Sequence, residues 1–143
     1  MADCIEAPMR EAQLSLTTQA ALYIAGGINH FWHQSFYVSI MPDHYSHPAE
    51  WVQFTGLAEI AGGLGLLIPA TRRPAAIGIL LMLAVYFDVH VFMLAHAERF
   101  PHIPRWALWA RLPLQFALMA WAWNYARKQS DRITAPTALP LQP

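Results

Sequence analysis

The sequence predicts an all-α fold: a bundle of four membrane-spanning helices with a short interfacial helix between the first and the second. Three observations carry that expectation. Of the 143 residues, 56% are hydrophobic and only 13% are charged, far from the average of water-soluble domains. Four apolar runs approach the roughly 20 residues that a helix rising about 1.5 Å per residue needs to cross about 30 Å of hydrocarbon. The third run, Ala75 to Ala97, has almost no polar stripe, whereas a helix of a soluble bundle would need one on its outer face.

A polar segment, residues 1–13, comes first. It is acidic with Arg10 as its one basic residue, so it does not read as a secretory signal, and the first helix is expected to be retained. The first helix runs from Leu14 to Gln34. Ser35 to Met41 reads as an amphipathic piece lying at the interface, stopped by Pro42. The second helix, Ala49 to Ile68, is closed by Pro69, and the third follows a tight turn over Ala70 to Pro74. The fourth runs from Pro104 to Ala126, with its proline at the first turn, where a helix tolerates one. The four spans make one domain, 14–126, and the proline-bearing tail, 127–143, is expected to be disordered.

An even number of spans puts both tails on one side with the Ala70 to Pro74 turn. That side holds Arg10, Arg72, Arg73, Arg127, Lys128 and Arg132, against Arg99 and Arg105 on the other. Basic residues favour the cytoplasm, so both termini are expected there. Aromatic residues suited to the two interfaces agree: Trp32, Phe36, Tyr37, Trp51, Trp106 and Trp109 on the outer side, Trp121, Trp123 and Tyr125 on the inner.

Composition also removes several function classes. Formal net charge is zero, without the clustered Lys and Arg of a nucleic-acid footprint. The lone Cys4 excludes an internal disulfide and a C-x-x-C motif. Gly62, Gly63 and Gly65 do not form a phosphate loop, because no strand precedes them and no G-K-[ST] follows; close helix packing explains them. No internal repeat suggests the inverted halves of a transporter.

The informative residues are the ionisable ones. An ionised Asp, Glu or Arg at the centre of a membrane helix costs about 2.5 to 3.5 kcal/mol even on lenient scales, so such groups are paired or functional. Glu59 lies near the midplane of the second helix; Asp88, Arg111, His30 and His33 fall in the outer half. At about 100° per residue, Gly26, Asn29, His30 and His33 share one face of the first helix, and Thr55, Gly56, Glu59, Gly62 and Gly63 share one of the second. Asp88 and His90 point about 160° apart, so only one can face a common site. The small neighbours of Asp88 favour Asp88 inward and His90 toward another helix, a partner subunit or the interface. Arg111 and Gln115 lie one turn apart on the fourth helix.

These faces predict a polar pocket opening outward, with Arg111 bridging Glu59 and Asp88 while Asn29 and His30 complete the hydrogen bonds. Two acids against one arginine leave an excess negative charge that a bound proton would neutralise, which suits proton exchange. A structural ion-pair lock fits the same residues. His30 and His33, at i and i+3, could present two imidazoles to a metal or one to a haem, and His44 and His47 with Asp43 form a second outward group.

Gly26-Gly27-Ile28-Asn29-His30-Phe31, followed by Phe36, Ile40 and Pro42, resembles the opening motif of DoxX-like small membrane proteins. Gly56 to Pro69, leading into Arg72-Arg73, resembles that family's second-helix signature, and Arg111-Leu112-Pro113-Leu114-Gln115 is similar to its fourth-helix motif. The resemblance covers about Ala20 to Tyr125. It implies a bacterial inner-membrane protein, linked to quinone-coupled oxidation or serving as the membrane subunit that assembles oxidoreductase partners. It carries over His30, Glu59, Arg111 and Gln115 as site residues. Phe87-Asp88-Val89-His90 departs from a proline and an asparagine in many relatives, which makes Asp88 and His90 candidates for a specialised role.

The resulting expectation is a membrane redox subunit that binds a quinone-like or small apolar molecule. Glu59, Asp88 and His30 handle protons, and Arg111, Gln115, Asn29 and His33 hold the substrate. A soluble oxidoreductase or a second copy of the chain would be its partner. A non-catalytic assembly protein, and a small transporter or metal conduit, remain open alternatives.

Overall fold

A computed structural model describes residues 3–128, with side chains over 10–127. The described chain is all-helical: α1 (Asp3–Trp32), α2 (Gln34–Ser39), α3 (Pro48–Leu67), α4 (Arg72–Ala95), a 3₁₀ turn (Ala97–Arg99) and α5 (Arg105–Lys128). The disordered tail expected at the C-terminus lies outside these residues beyond Lys128. Helix α1 begins well before Leu14, because the segment expected to be a polar tail is rich in strong helix formers such as Glu6, Ala7, Met9, Arg10 and Glu11.

Four spans are expected from the sequence; among the described residues one helix, Arg72–Ala95, is long and apolar enough by length and composition to cross a membrane. The other long helices dilute their apolar content with polar residues: Gln13, Thr17, Thr18, Gln19 and Asn29 on α1, Glu50, Gln53 and Glu59 on α3, Arg111, Gln115 and Asn124 on α5.

Helix α1 packs on α3, α3 on α4, and α4 on α5. The α1–α3 seam is the closest. A Cβ on Gly27 would collide with the Gly56 carbonyl, and one on Gly63 would come within 2.7 Å of the Ala20 carbonyl. Only glycine lets these two backbones approach so far, the small-residue packing foreseen from Gly56 and Gly63.

Two hydrogen bonds place the first half of α1 beside the last turns of α5: Trp121 Nε1 donates to Ser15 Oγ (2.9 Å), which is 2.8 Å from Tyr125 Oη. The α3–α4 turn is at the same end. There Thr71 Oγ1 donates to the Gly65 carbonyl and Arg72 Nε to the Leu66 carbonyl, each at 2.9 Å, satisfying acceptors that the end of α3 leaves free. This terminal end holds the main core: Leu16, Ala20, Tyr23, Leu66, Ala76, Ile79, Leu83, Ala122 and Ala126. At the opposite, loop end a smaller cluster of Ile40, Met93 and Leu108 closes the bundle under α2. The loop from α2 turns into α3 at His47, whose φ of 59° puts a non-glycine residue in the left-handed region immediately before Pro48.

Candidate binding site

The site starts from two faces of the α1–α3 seam. Because Gly26 has no side chain, the Glu59 carboxylate fits against α1, where a Cβ on Gly26 would approach Oε2 to 2.8 Å. One turn along α1, His30 reaches the same carboxylate, with Nδ1 3.3 Å from Oε2, and both side chains are under a tenth exposed. His30 Nδ1 is also 3.1 Å from the Gly26 carbonyl, an acceptor only, so that nitrogen carries a proton.

The imidazole stacks on Tyr37 of α2, ring centroids 3.9 Å apart, and Tyr86 of α4 lies 6.3 Å away on the same criterion. Tyr37 Oη accepts from Asn29 Nδ2 at 2.8 Å, and Asn29 Oδ1 accepts from His33 Nδ1 at 2.7 Å. The Tyr86 hydroxyl is buried with Thr55 and Glu59 beside it, and its hydrogen-bond geometry to both is poor.

These groups form the base of an otherwise apolar cavity of about 180 Å³ whose walls include Ile40, Met41, Trp51, Val52, Val85 and Val89. Tyr45 stands at its rim, beside Asp88. Partial burial, and then the Asp88 carboxylate, hold the Tyr45 hydroxyl above its ordinary titration range.

Several expectations are corrected. Asp88 is exposed and pairs with His44 of the α2–α3 loop (Nε2 to Oδ2, 3.0 Å), while His90 turns inward and lines the cavity. Small neighbours misled: Ala84 and Val85 are exposed, and the buried stripe of α4 runs through Ala76, Ile79, Leu83 and Met93, with Tyr86 and His90 in register. The charged group sits at the loop end with a partner, and the imidazole, which can be neutral, goes inside.

Arg111 does not bridge the two acids. Its Nη1 donates to Met93 Sδ at 2.9 Å, because His30 already meets Glu59 and Asp88 faces away. Gln115 is buried and donates through Nε2 to the Leu83 carbonyl. Asn29 turns to Tyr37 and His33 rather than to Glu59. His33 is exposed and His30 is buried against Glu59, so the two imidazoles do not converge on one metal or haem. His47 is 3.8 Å from Glu50, and Asp43 accepts both of its hydrogen bonds from Arg99, so that outward group is divided. Among the described residues, no cluster of three or more His, Cys, Asp or Glu is placed to hold a metal ion.

Sequence reasoning missed Tyr37 and Tyr86. Tyr86 was detectable as the next step of the three-and-four spacing that runs through Ile79 and Leu83. Tyr37 gave no such signal, since a six-residue helix fixes no buried face.

Residues 19–126 match the family described as "Domain of unknown function (DUF8561)", and the chain belongs to that family. No curated protein and no solved structure matches the chain.

Proposed function

For this DUF8561 chain, we propose a four-span membrane protein that binds a small apolar or quinone-like molecule in the His30–Glu59 cavity, as the membrane subunit of a redox system. The observation that carries the reading is the buried His30–Glu59 pair at the base of an apolar cavity, because a proton-handling pair of this kind is costly in lipid unless it is used. A molecule with ring or carbonyl oxygens would find the Tyr86 hydroxyl as a donor and the His30–Glu59 pair as the group that takes or returns a proton. Exchange of electrons with a soluble oxidoreductase partner is what the DoxX-like resemblance implies.

Membrane embedding is supported by what every long helix turns outward. Leu14, Phe54, Leu81 and Phe116 are each 60% or more exposed, and Leu57, Val91, Leu114 and Trp106 stand out beside them. A water-soluble surface rarely displays apolar groups on all sides, whereas lipid favours them. Trp32, Trp51, Trp106 and Trp109 ring the loop end, and Arg72, Arg73 and Arg127 mark the terminal end, which supports termini facing the cytoplasm across an inner membrane.

Trp51 lines the cavity and gives the test. In lipid nanodiscs, a short-chain benzoquinone should quench tryptophan fluorescence saturably, and Trp51→Phe should remove most of the saturable part. Wild-type quenching that rises linearly with quinone, indistinguishable from Trp51→Phe, would defeat the proposal.

A non-catalytic assembly role is favoured by one observation: the Glu59 charge already has its partner within the α1–α3 seam. Under that reading His30→Ala loosens the helices and changes no binding.

A further inference from the structure

We propose that the cleft between α1 and α5 is a second mouth of the site, through which a neutral lipid-soluble molecule with an oxygen-bearing head and a hydrocarbon tail enters sideways from the bilayer. This rests on the membrane reading above. The two helices are tied at the terminal end by the Ser15, Trp121 and Tyr125 hydrogen bonds. Toward the loop end they part, and the space between them is about 440 Å³, within the size range of small-molecule pockets.

The chemistry of the cleft divides by depth. Leu22 of α1 and Leu114 of α5 flank the opening, both more than half exposed, and Leu118 continues the apolar wall. At the bottom lie Glu59, Tyr86, His90, Arg111 and Gln115. Hydrogen-bonding capacity there is unspent. The hydroxyl of Tyr23, beside Gln19, that of Tyr86, beside Thr55 and Glu59, and the Nδ1 of His90 are buried without a well-aligned hydrogen bond, and Tyr23, which also lines the cleft, is only 6% exposed. Arg111 spends one N–H on the Met93 sulfur, a weak acceptor that an oxygen would displace. The one carboxylate, Glu59, is engaged by His30. The Arg111 N–H groups can only donate and the two tyrosine hydroxyls can donate as well as accept, so the floor can meet an accepting oxygen.

Depth selects the class of molecule. Arg111 lies about 9 Å along α5 from Arg105 and Glu59 about 16 Å along α3 from Pro48, at the usual helical rise. A phosphate head belongs at the interface and would have to shed its water to descend so far, whereas a carbonyl or phenolic head descends readily. Gly26, Glu59, Tyr86 and His90 line both the cleft and the outer cavity, so one carboxylate is approached from the bilayer on one side and from the loop end on the other. The lipid-soluble reactant and the proton then have separate routes to Glu59.

Photolabelling in nanodiscs tests this, with a benzoquinone bearing a ten-carbon chain and a photoactivatable group at the chain end, and with the chainless headgroup as the second probe. The expected label falls on α1 and α5 near Leu22 and Leu114. The pair of substitutions Leu22→Trp and Leu114→Trp, at exposed positions where folding is retained, should weaken long-chain labelling by roughly tenfold, while the part of headgroup quenching that Trp51→Phe removes, measured in the same double-variant background, is unchanged. Arg111→Gln should also weaken the labelling, with an unchanged melting temperature. Equal labelling of the double variant and wild type, label confined to bulk phospholipid, or a second copy of the chain cross-linked across the cleft would each overturn the inference. Headgroup binding without any effect of the tryptophans sinks the side entrance alone. Long-chain labelling of the cleft without headgroup quenching keeps the entrance and sinks the outer cavity.

Discussion

The two ends of the bundle are built for different ends. At the terminal end Leu16, Ala20, Leu66, Ala76, Ile79 and Ala122 fill the interior, and Leu66 and Ala122 have no exposed surface at all. At the loop end the same helices enclose a cavity and a cleft, with His30, Glu59, Tyr86 and His90 on their walls. Protein interiors are normally close-packed, so hollow space beside buried polar groups is where the proposed binding has room to occur. The glycine seam joins the two regimes: Gly63 brings α1 and α3 together at the packed end, and Gly26, Gly27 and Gly56 do so beside the carboxylate.

The contrast can be broken from either end. Leu66→Ala should lower stability by about 2 kcal/mol or more, read by thermal unfolding in detergent, and leave quinone quenching unaltered. A loss of binding that matched the loss of stability would mean the ends are not separable. Gly27→Ala sits at the junction, and its Cβ meets the Gly56 backbone, so overpacking of about 1–3 kcal/mol should appear together with weaker binding, because the push between α1 and α3 also moves Glu59 away from His30.

Glu59→Gln sharpens the functional half. It keeps shape and removes the charge, so quenching affinity should fall roughly tenfold with little change in melting temperature. Unchanged affinity would reduce the pair to a structural lock. The smallest effect is expected at Asp88→Asn. The His44–Asp88 pair is largely exposed, so stability should change by less than about 1 kcal/mol, and the Tyr45 titration, followed by NMR, should move down as the neighbouring negative charge is lost.

Much of this arrangement was visible in the sequence, for particular reasons. Helix positions followed from apolar runs broken by Pro42, Pro69 and Pro104. Glycines at helical spacing foretold the close approach of a neighbouring backbone without naming it, and His30 and Glu59 lay on the two glycine-bearing faces. What failed was pairing between helices. A helical wheel gives direction without partner, so Arg111, Gln115 and Glu59 could be assigned to one hollow while the bonds they make stayed open; Arg111 chose the Met93 sulfur and Gln115 the Leu83 carbonyl. The Asp88 and His90 choice was misjudged because small neighbours were weighted above the stripe of Ile79, Leu83 and Met93. Loop contacts were out of reach for the same reason, since His44 meets Asp88 only once the whole chain is folded.

The most direct measurement is a high-resolution density map of the protein purified with its native lipids. Elongated density should run from the bilayer between Leu22 and Leu114 to a head within hydrogen-bonding distance of Arg111 or Tyr86, above an intact His30–Glu59 pair. A cleft closed by direct α1–α5 packing, with Glu59 turned away from His30, would contradict it.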